Sequence, residues 1–331
     1  MSTPLLLVLI GAALLAPSLV LYPLLVWAAG LSKRHEQPRV LKPLTFADCA
    51  VVIEPDNKPG VDVGTQAAEL RDAGFSVVRD PAATEAAVLI YPGRRGRLTP
   101  GGVERLLEPL ADPVVGMSVG RLLPPPEEDE TAGGPRAAGL ARLESLHQGL
   151  RRPLVRCEAR LGSPASILGD PCAVRAGFRS ASPARTLRRL GVARQRVHYL
   201  RGRCALVGRR RPVADPTGLR RELVAETADT LANRGPHPGA LVRRWAALVN
   251  GPALAALTIG AAWGAILGLG LLFKLLVIPP AILAVGALVG RQTLEYGYRS
   301  RVYLPVYGLA RELFLGTAAL LRGDDERGSY Q

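Results

Sequence analysis

The chain has 331 residues, of which 48% are apolar, and its 42 Lys and Arg against 28 Asp and Glu give a net charge of +14. This combination excludes a disordered tail and an ordinary small soluble domain, and the length suits roughly two domains. Residues 151–250 hold 21 basic and 6 acidic side chains, whereas the other 231 residues hold 21 and 22. The positive charge is therefore local.

The first predicted element is a transmembrane helix at residues 1–31. No charged residue occurs between Pro4 and Leu31, and a helix of that length spans a hydrocarbon core of about 30 Å. Nothing basic precedes this run, whereas Lys33 and Arg34 follow it, which is unlike a cleaved signal peptide. The positive-inside rule then places the N-terminus outside and the following residues in the cytoplasm.

Residues 32–245 are predicted to form a cytoplasmic α/β domain. Short apolar strands alternate with helices in its first half, residues 32–123, which is typical of a βαβ series whose ligand binds at the carboxyl ends of the strands. An acidic loop rich in Pro and Gly, residues 124–135, separates this half from a basic half, residues 136–245. The predicted strands are 49–53, 75–78, 86–91 and 113–119, and the predicted helices are 64–73 and 101–110.

Local motifs for metal, redox or nucleotide chemistry are missing from the sequence. The four cysteines form no CxxC pair and the four histidines are scattered, so we predict reduced thiols and no metal site. There is no GxGxxG after a strand, and no GxxxxGK[ST], GxSxG or HExxH. The residues alone therefore indicate a fold class but no reaction.

Residues 246–290 are predicted to form a transmembrane hairpin. They carry one charge, Lys274, and are too long for one span. Arginines flank the segment on both sides, so both its ends are predicted to be cytoplasmic. Gly260, Gly264 and Gly268 have GxxxG spacing, which provides a smooth face for packing, either within the hairpin or against another helix. Residues 291–331 are predicted to be an interfacial helix and tail.

The arginines of the basic half are predicted to contact the membrane surface. The tract lacks interleaved aromatic residues and any known nucleic-acid module, so nucleic acid is not a predicted partner. An anionic leaflet attracts each nearby basic residue by about 1 kcal/mol. The residues assigned to this surface are Arg201, Arg203, Arg209, Arg210, Arg211, Arg243 and Arg244.

Six segments follow one another in an order found in a known family. They read CAVVIEPDN at 49–57, FSVVRD at 75–80, LTPGGVERLL at 98–107 followed by DPVVGMSVG at 112–120, RCEARLG at 156–162 with GDPCAVR at 169–175, RRLG at 188–191 with RVHY at 196–199, and a stretch that ends in Arg-Arg-Trp at 245. In this order they resemble the membrane-bound family 2 glycosyltransferases, of the hyaluronan- and cellulose-synthase kind. The resemblance implies a GT-A-like (Rossmann-like) domain with N-terminal and C-terminal transmembrane helices.

The chain departs from this family at each catalytic motif. Where the family holds Mg²⁺ or Mn²⁺ and a sugar nucleotide on a DxD motif, residues 92–96 read Pro-Gly-Arg-Arg-Gly. Residues 182–185 read Ser-Pro-Ala-Arg where the family has a carboxylate base, and the Gln-x-x-Arg-Trp motif is missing after Thr217. A strand and a helix are also missing between Asp80 and Pro92. The resemblance therefore implies a shortened domain with no catalytic residue and no cofactor.

Two groups of residues remain as candidates for nucleotide binding. Asp56, Asn57 and Asp80 match positions at strand ends where the family contacts the nucleotide, although Asp and Asn are also ordinary turn residues. Arg94 and Arg95 have the geometry to clamp a diphosphate without a metal. The alternative is a solvated turn in a chain that uses 38 Arg and 4 Lys.

The sequence thus predicts a catalytically inactive, glycosyltransferase-like protein of the cell (inner) membrane, with several spans and a cytoplasmic main domain. Its predicted role is that of a partner or scaffold for another protein in envelope polysaccharide or glycolipid synthesis, in contact with the bilayer and its anionic headgroups. An active transferase with an arginine-based, metal-independent site is the alternative. A membrane protein unrelated to sugar transfer is the third possibility.

Overall fold

The structure is a computed structural model of the full chain. It describes residues 2–32, 49–52, 63–78, 84–93, 96–124, 134–162, 164, 166–167, 169–180, 183–211 and 238–271, together with the isolated positions 217, 221, 223–225, 227–228 and 274.

A six-stranded sheet forms the centre of the domain. Its strands are β1 (Cys49–Val52), β2 (Ser76–Val78), β3 (Val88–Tyr91), β5 (Val115–Val119), β7 (Cys172–Arg175) and β8 (Arg196–Tyr199), in the order β2-β1-β3-β7-β5-β8. β7 runs antiparallel to both its neighbours, β3 and β5. The remaining pairs are parallel. The sequence therefore correctly predicted a parallel α/β arrangement, but it did not predict the antiparallel strand at the centre.

A second, three-stranded sheet adjoins the first. It contains β4 (Gly96–Leu98), β6 (Arg121–Leu123) and β9 (Leu206–Arg210), in the order β4-β9-β6. β4 follows β3 after a short turn, and β6 follows β5 after Gly120 alone. The small sheet thus extends from the carboxyl ends of two strands of the main sheet.

Helices cover both faces of the main sheet. On one face, α3 (Val63–Asp72) and α4 (Pro100–Leu107) bury Leu70 and Leu106 against the sheet. On the other face, α5 (Gly134–Leu161) and α6 (Pro183–Val192) bury Val155 and Leu187. β1 is buried at all four positions, as expected of a strand covered on both sides. The connection between β2 and β3, residues 79–87, has no strand or helix at its described positions, 84–87.

Gly101 and Gly102, neighbours in the first turn of α4, provide a matched test of this packing. A Cβ at Gly102 would lie 1.9 Å from the Val207 carbonyl oxygen, whereas a Cβ at Gly101 would meet nothing within 4 Å. We expect Gly102→Ala to lower the free energy of unfolding by about 1–3 kcal/mol, because a backbone atom blocks the methyl group. Gly101→Ala should leave it unchanged or raise it by up to about 1 kcal/mol. Thermal unfolding followed by circular dichroism checks both, and equal effects would contradict the packing.

The N-terminal segment is one long apolar helical rod. It comprises α1 (Thr3–Ala16), a π-helical turn at Pro17–Leu21 and α2 (Tyr22–Ser32). Pro17 has no N–H for the helical ladder, and such positions commonly start a π-turn or a kink. Residues Thr3–Leu31 and Arg244–Ile266 are the two described helices that are long and apolar enough to cross a membrane. They weakly suggest membrane association.

The C-terminal apolar helix, α7 (Pro238–Ile266), packs antiparallel against α1. A Cβ at Gly11 would lie 2.6 Å from the Ala253 carbonyl oxygen, and a Cβ at Gly260 would lie 2.8 Å from the Pro4 carbonyl oxygen. Small residues therefore allow close contact between the two helices, as is common for membrane helices. Two hydrogen bonds cross the same interface, from Ser18 Oγ to Asn250 Oδ1 (2.8 Å) and from Trp245 Nε1 to the Leu14 carbonyl (3.2 Å).

The glycine stripe packs on α1, which is a helix outside the predicted hairpin, and it differs from its prediction only at Gly268. Most of the second half of the predicted hairpin lies outside the described residues. Gly268 does not belong to the packing face, because α7 ends at Ile266 and Gly268 has a φ of +69° with nothing within 4 Å of its would-be Cβ. It terminates the helix, a role that suits glycine. Gly264 is buried, as the stripe requires.

Candidate functional site

The strand register brings four loops together at the carboxyl edge of the main sheet. Cys172 of β7 pairs with both Tyr91 of β3 and Val119 of β5, and Val119 also pairs with Tyr199 of β8. Because β7 is antiparallel, the residues that precede it lie at the edge where its neighbours end. Segments 92–93, 120–121, 169–171 and 200–201 therefore adjoin one another. This is the edge at which α/β domains bind ligands.

Glycine at position 93 allows the turn after β3 to rest on the loop that precedes β7. A Cβ at Gly93, which has a φ of +75°, would lie 2.7 Å from both the Gly169 carbonyl oxygen and the Pro171 nitrogen. Only glycine tolerates both this φ and this approach. Gly93 therefore lies directly beside Asp170.

Asp170 is a buried acid at this edge, and two arginines lie against its carboxylate. Arg152 of α5 donates two hydrogen bonds to its carboxylate, from Nε (3.2 Å) and from a terminal nitrogen (2.9 Å). A terminal nitrogen of Arg210 lies 3.6 Å from the same carboxylate. The Asp170 side chain is 2% exposed and that of Arg152 is 10% exposed. This bidentate geometry is the strong form of the Arg–carboxylate pair, and it leaves little of the carboxylate for another ligand.

Arg156, one turn further along α5, lies among positive charges. Its pKa is lowered, first by burial and then by Arg152, Arg201 and Arg121, while Asp170 opposes the shift. Its Nε is buried and has no hydrogen-bond partner in the described part of the chain. The pKa of Arg201 is also lowered, by burial and by Arg160. We call these five residues, Arg121, Arg152, Arg156, Arg160 and Arg201, the arginine cluster.

The arginine cluster reaches the apolar N-terminal helix. A terminal nitrogen of Arg160 donates to the carbonyl of Gly30 in the last turn of α2 (2.9 Å). Tyr22, at the start of α2, donates its hydroxyl to Glu158 of α5 (2.6 Å). A Cβ at Gly30 would clash with Cys157, also of α5, at 2.5 Å. Helix α5 thus connects the carboxyl edge of the sheet to the end of an apolar helix that is long enough to cross a membrane.

The nucleotide-binding candidates of the sequence, Asp56, Asn57, Asp80, Arg94 and Arg95, lie outside the described residues. The strands that lead to them are described: Val52 and Val78 pair side by side at the ends of β1 and β2, and Gly93 lies on the Asp170 loop. These candidates therefore remain predictions.

The residues assigned to the membrane surface divide into groups. Arg201, Arg203 and Arg209 are exposed, Arg211 and Arg244 are half-buried, and the Arg243 side chain is not described. Arg210 differs from its prediction: its side chain is 16% exposed, lies near Asp170 and donates to Gln148 Oε1 at 2.5 Å. Arg210 therefore belongs to the buried network of Asp170, because its position on β9 directs it towards α5.

Sequence reasoning missed the Asp170 network. Arg152, Gln148 and Arg210 come from segments distant in sequence, and nothing in an arginine-rich stretch marks which arginines are buried. One signal was available: Asp170 is one of only 6 acids in residues 151–250, and it immediately precedes the Pro171 that leads into a short apolar strand. An acid just before the start of a buried strand, within a basic stretch of sequence, is a reasonable candidate for a buried ion pair.

The donor set of this edge does not fit a divalent cation. Mg²⁺ and Mn²⁺ take carboxylate and carbonyl oxygens, whereas both oxygens of Asp170 already accept hydrogen bonds from Arg152, and Arg210 lies 3.6 Å away. Within the described ranges, no group of three or more His, Cys, Asp or Glu side chains could hold a metal ion. We therefore assign no metal to these residues.

An open groove of about 530 Å³ lies between α6 and the turn after β7. It lies in the region where the family resemblance would put a catalytic base. Its lining includes Phe178, Arg185, Arg188 and Arg189, and contains no carboxylate. The described residues of this groove therefore provide no general base of the expected type.

Cys172 gives a test of burial at the edge of the sheet. Burial, with a smaller contribution from Asp170, raises the pKa of its thiol to about 12. Cysteine reacts as the thiolate, so we expect Cys172 to resist alkylation at pH 8, whereas exposed Cys204 reacts. Mass spectrometry after treatment with iodoacetamide checks this, and denatured protein, in which both thiols react, is the control. Equal labelling of the two thiols in the folded protein would contradict the described burial.

Comparison with known proteins finds a similarity in fold alone. No protein-family model matches the sequence, and no curated protein matches it. Among solved structures, the fold is similar to that of the mannosyltransferase PcManGT from Pyrobaculum calidifontis, which was solved in complex with GDP-Man and Mn²⁺. The similarity covers 97% of this chain and 99% of that chain, with a TM-score of 0.56 and 15% identity. The chain therefore has a glycosyltransferase-like fold, which confirms the coarse form of the resemblance.

Proposed function

We propose that this chain is a membrane-anchored, glycosyltransferase-like protein that does not catalyse sugar transfer and acts as a partner or scaffold in envelope polysaccharide or glycolipid synthesis. The observation that carries the proposal is the pairing of the Asp170 carboxylate with arginine side chains. This carboxylate is buried at the carboxyl edge of the main sheet, and Arg152 and Arg210 neutralise it. A metal-dependent transferase needs free carboxylates there to hold a divalent ion against the diphosphate.

Membrane anchoring is supported by the two antiparallel apolar helices. Several large apolar side chains of α2 and α7 are more than half exposed, including Leu25 (68%), Leu31 (57%) and Ile266 (84%). Contiguous apolar surface of this kind normally lies in a membrane or against another protein. A location in the inner membrane with the main domain in the cytoplasm fits the basic residues that follow the first helix.

The arginine cluster favours a second candidate function, an active transferase with a metal-independent site. Arginine side chains can stabilise the charge of a leaving diphosphate. Arg94 and Arg95, which follow the described Gly93 in the sequence, are further candidates for such a site. The described groove beside α6 offers no base to activate an acceptor hydroxyl, and for this reason we rank this function second.

Turnover by the purified protein separates the two functions. The full chain in mild detergent is incubated with UDP- and GDP-sugars, and release of the nucleoside diphosphate is measured with and without Mn²⁺. We expect no release above the rate without protein. Release that disappears in Asp80→Asn or Arg94→Gln, but persists in Arg71→Gln on the exposed surface of α3, would overturn the non-catalytic function and establish the active one.

A further inference from the structure

We propose that the arginine cluster is a binding site for a phosphate or diphosphate group, which guanidinium groups hold directly without a metal ion. The inference rests on the proposed function, since it identifies what the metal-free edge of this fold would bind. It requires no catalysis.

The first argument is the balance of charge. Arg152, Arg201 and Arg121 all act on Arg156 at this edge of the sheet, where Asp170 is the acid that opposes them. Arg160 acts on Arg201. Arg152 already satisfies Asp170 through two hydrogen bonds. Like charges in a partly buried setting repel one another strongly, and a bound anion would remove this repulsion.

The second argument is an available donor. Arg156 Nε is buried without a hydrogen-bond partner among the described residues. A buried donor without a partner is costly, and a guanidinium has the planar geometry that suits phosphate oxygens. Arg152 is held on Asp170 by two hydrogen bonds, and Arg156 follows it by one turn on the same face of α5. Arg152 is therefore committed to Asp170, whereas Arg156 Nε is available to a ligand.

The third argument is position. Gly120 and Arg121 follow β5, and Leu200 and Arg201 follow β8, so that two strand ends present arginines at the edge where α/β domains bind ligands. Backbone hydrogen bonds fix both ends, from Gly120 N to the Pro171 carbonyl (2.9 Å) and from Leu200 N to the Val119 carbonyl (2.9 Å). These arginines therefore extend from ordered backbone.

The phosphate could come from two sources with the same chemistry. A soluble nucleoside diphosphate would enter from solvent at the edge of the sheet. A lipid-linked phosphate would enter from the membrane, since Arg152, Arg156 and Arg160 form a row along α5 that ends at the Gly30 carbonyl of the apolar helix. The experiment has one arm for each source.

In the first arm, the full chain in detergent is titrated with inorganic pyrophosphate, UDP and GDP in the presence of EDTA, and binding is measured by calorimetry. In the second arm, the chain in phosphatidylcholine nanodiscs, with or without a polyprenyl phosphate, is analysed for retained lipid by native mass spectrometry. Binding in either arm should weaken about tenfold or more in Arg156→Gln, because one charge-assisted contact is lost. Arg121 is exposed, and Arg121→Gln should also weaken binding.

The matched control is Arg71→Gln, which removes the same charge from exposed α3 on the opposite face of the sheet and should leave binding unchanged. Binding in the first arm alone identifies a soluble diphosphate, and binding in the second alone identifies a lipid-linked phosphate; both support the site. No binding in either arm, or equal binding by Arg156→Gln and Arg71→Gln, overturns it. Sugar-nucleotide turnover together with Arg156-dependent binding would overturn the proposed function and retain this site.

Discussion

Asp170→Asn is expected to lower the free energy of unfolding by about 3–5 kcal/mol, because it leaves the buried guanidinium of Arg152 without its counter-charge. The carboxylate accepts two hydrogen bonds from Arg152 and lies 3.6 Å from Arg210. Removing one partner of a buried pair costs more than the pair contributes, since the remaining charge has lost its water and its partner. Thermal unfolding in one detergent, followed by circular dichroism, measures the loss.

Two further variants separate this cause from a general effect of the substitution. Asp72→Asn changes the same group at an exposed position of α3 and should alter the free energy of unfolding by less than about 0.5 kcal/mol. Adding Arg152→Met to Asp170→Asn removes the stranded charge and should recover part of the loss. If the double variant instead loses as much as Asp170→Asn and Arg152→Met lose in sum when each is made alone, Arg152 and Asp170 do not act as a pair.

The first half of the fold followed from local hydrophobic pattern. Apolar runs such as Cys49–Val52, bounded by polar turns, indicated strands, and the helical spacing between them indicated a parallel sheet. The central strand β7 could not be found in this way, because only three apolar residues, Cys172 to Val174, precede Arg175. Its place between β3 and β5 depends on pairing with residues far away in the chain.

The sequence predicts a ligand at the carboxyl edge of the parallel sheet, and the absence of carboxylates from residues 92–96 predicts that no metal is held there. Both stay predictions, and the side chains that face this edge could not be identified from the sequence. Which arginines face this edge depends on the twist and register that place Arg152 beside Asp170 and Arg210 beside Gln148. Charge counting could only assign Arg210 to a surface, since it treats all arginines of a basic stretch alike.

Gly11→Leu and Gly260→Leu are each expected to destabilise the packing of α1 on α7 by about 1–3 kcal/mol, as an overpacked core does. The atoms that block a side chain at these positions are largely backbone, the Ala253 carbonyl oxygen at 2.6 Å for Gly11 and the Pro4 carbonyl oxygen at 2.8 Å for Gly260. Backbone cannot rotate away as a side chain does, so the helices must separate. Separation would also lengthen the hydrogen bond from Ser18 to Asn250.

Ala255→Leu is the matched control, because Ala255 lies on the exposed side of α7 and the added leucine would face lipid or detergent. Thermal unfolding in one detergent compares the three variants. Fluorescence of Trp245, whose ring nitrogen donates to the Leu14 carbonyl, reports on the interface when Trp27 and Trp263 are replaced by Phe in all variants. We expect a lower midpoint and a changed Trp emission for both glycine variants and neither change for Ala255→Leu. Glycine variants that behave like Ala255→Leu would show that α1 and α7 do not pack through these glycines.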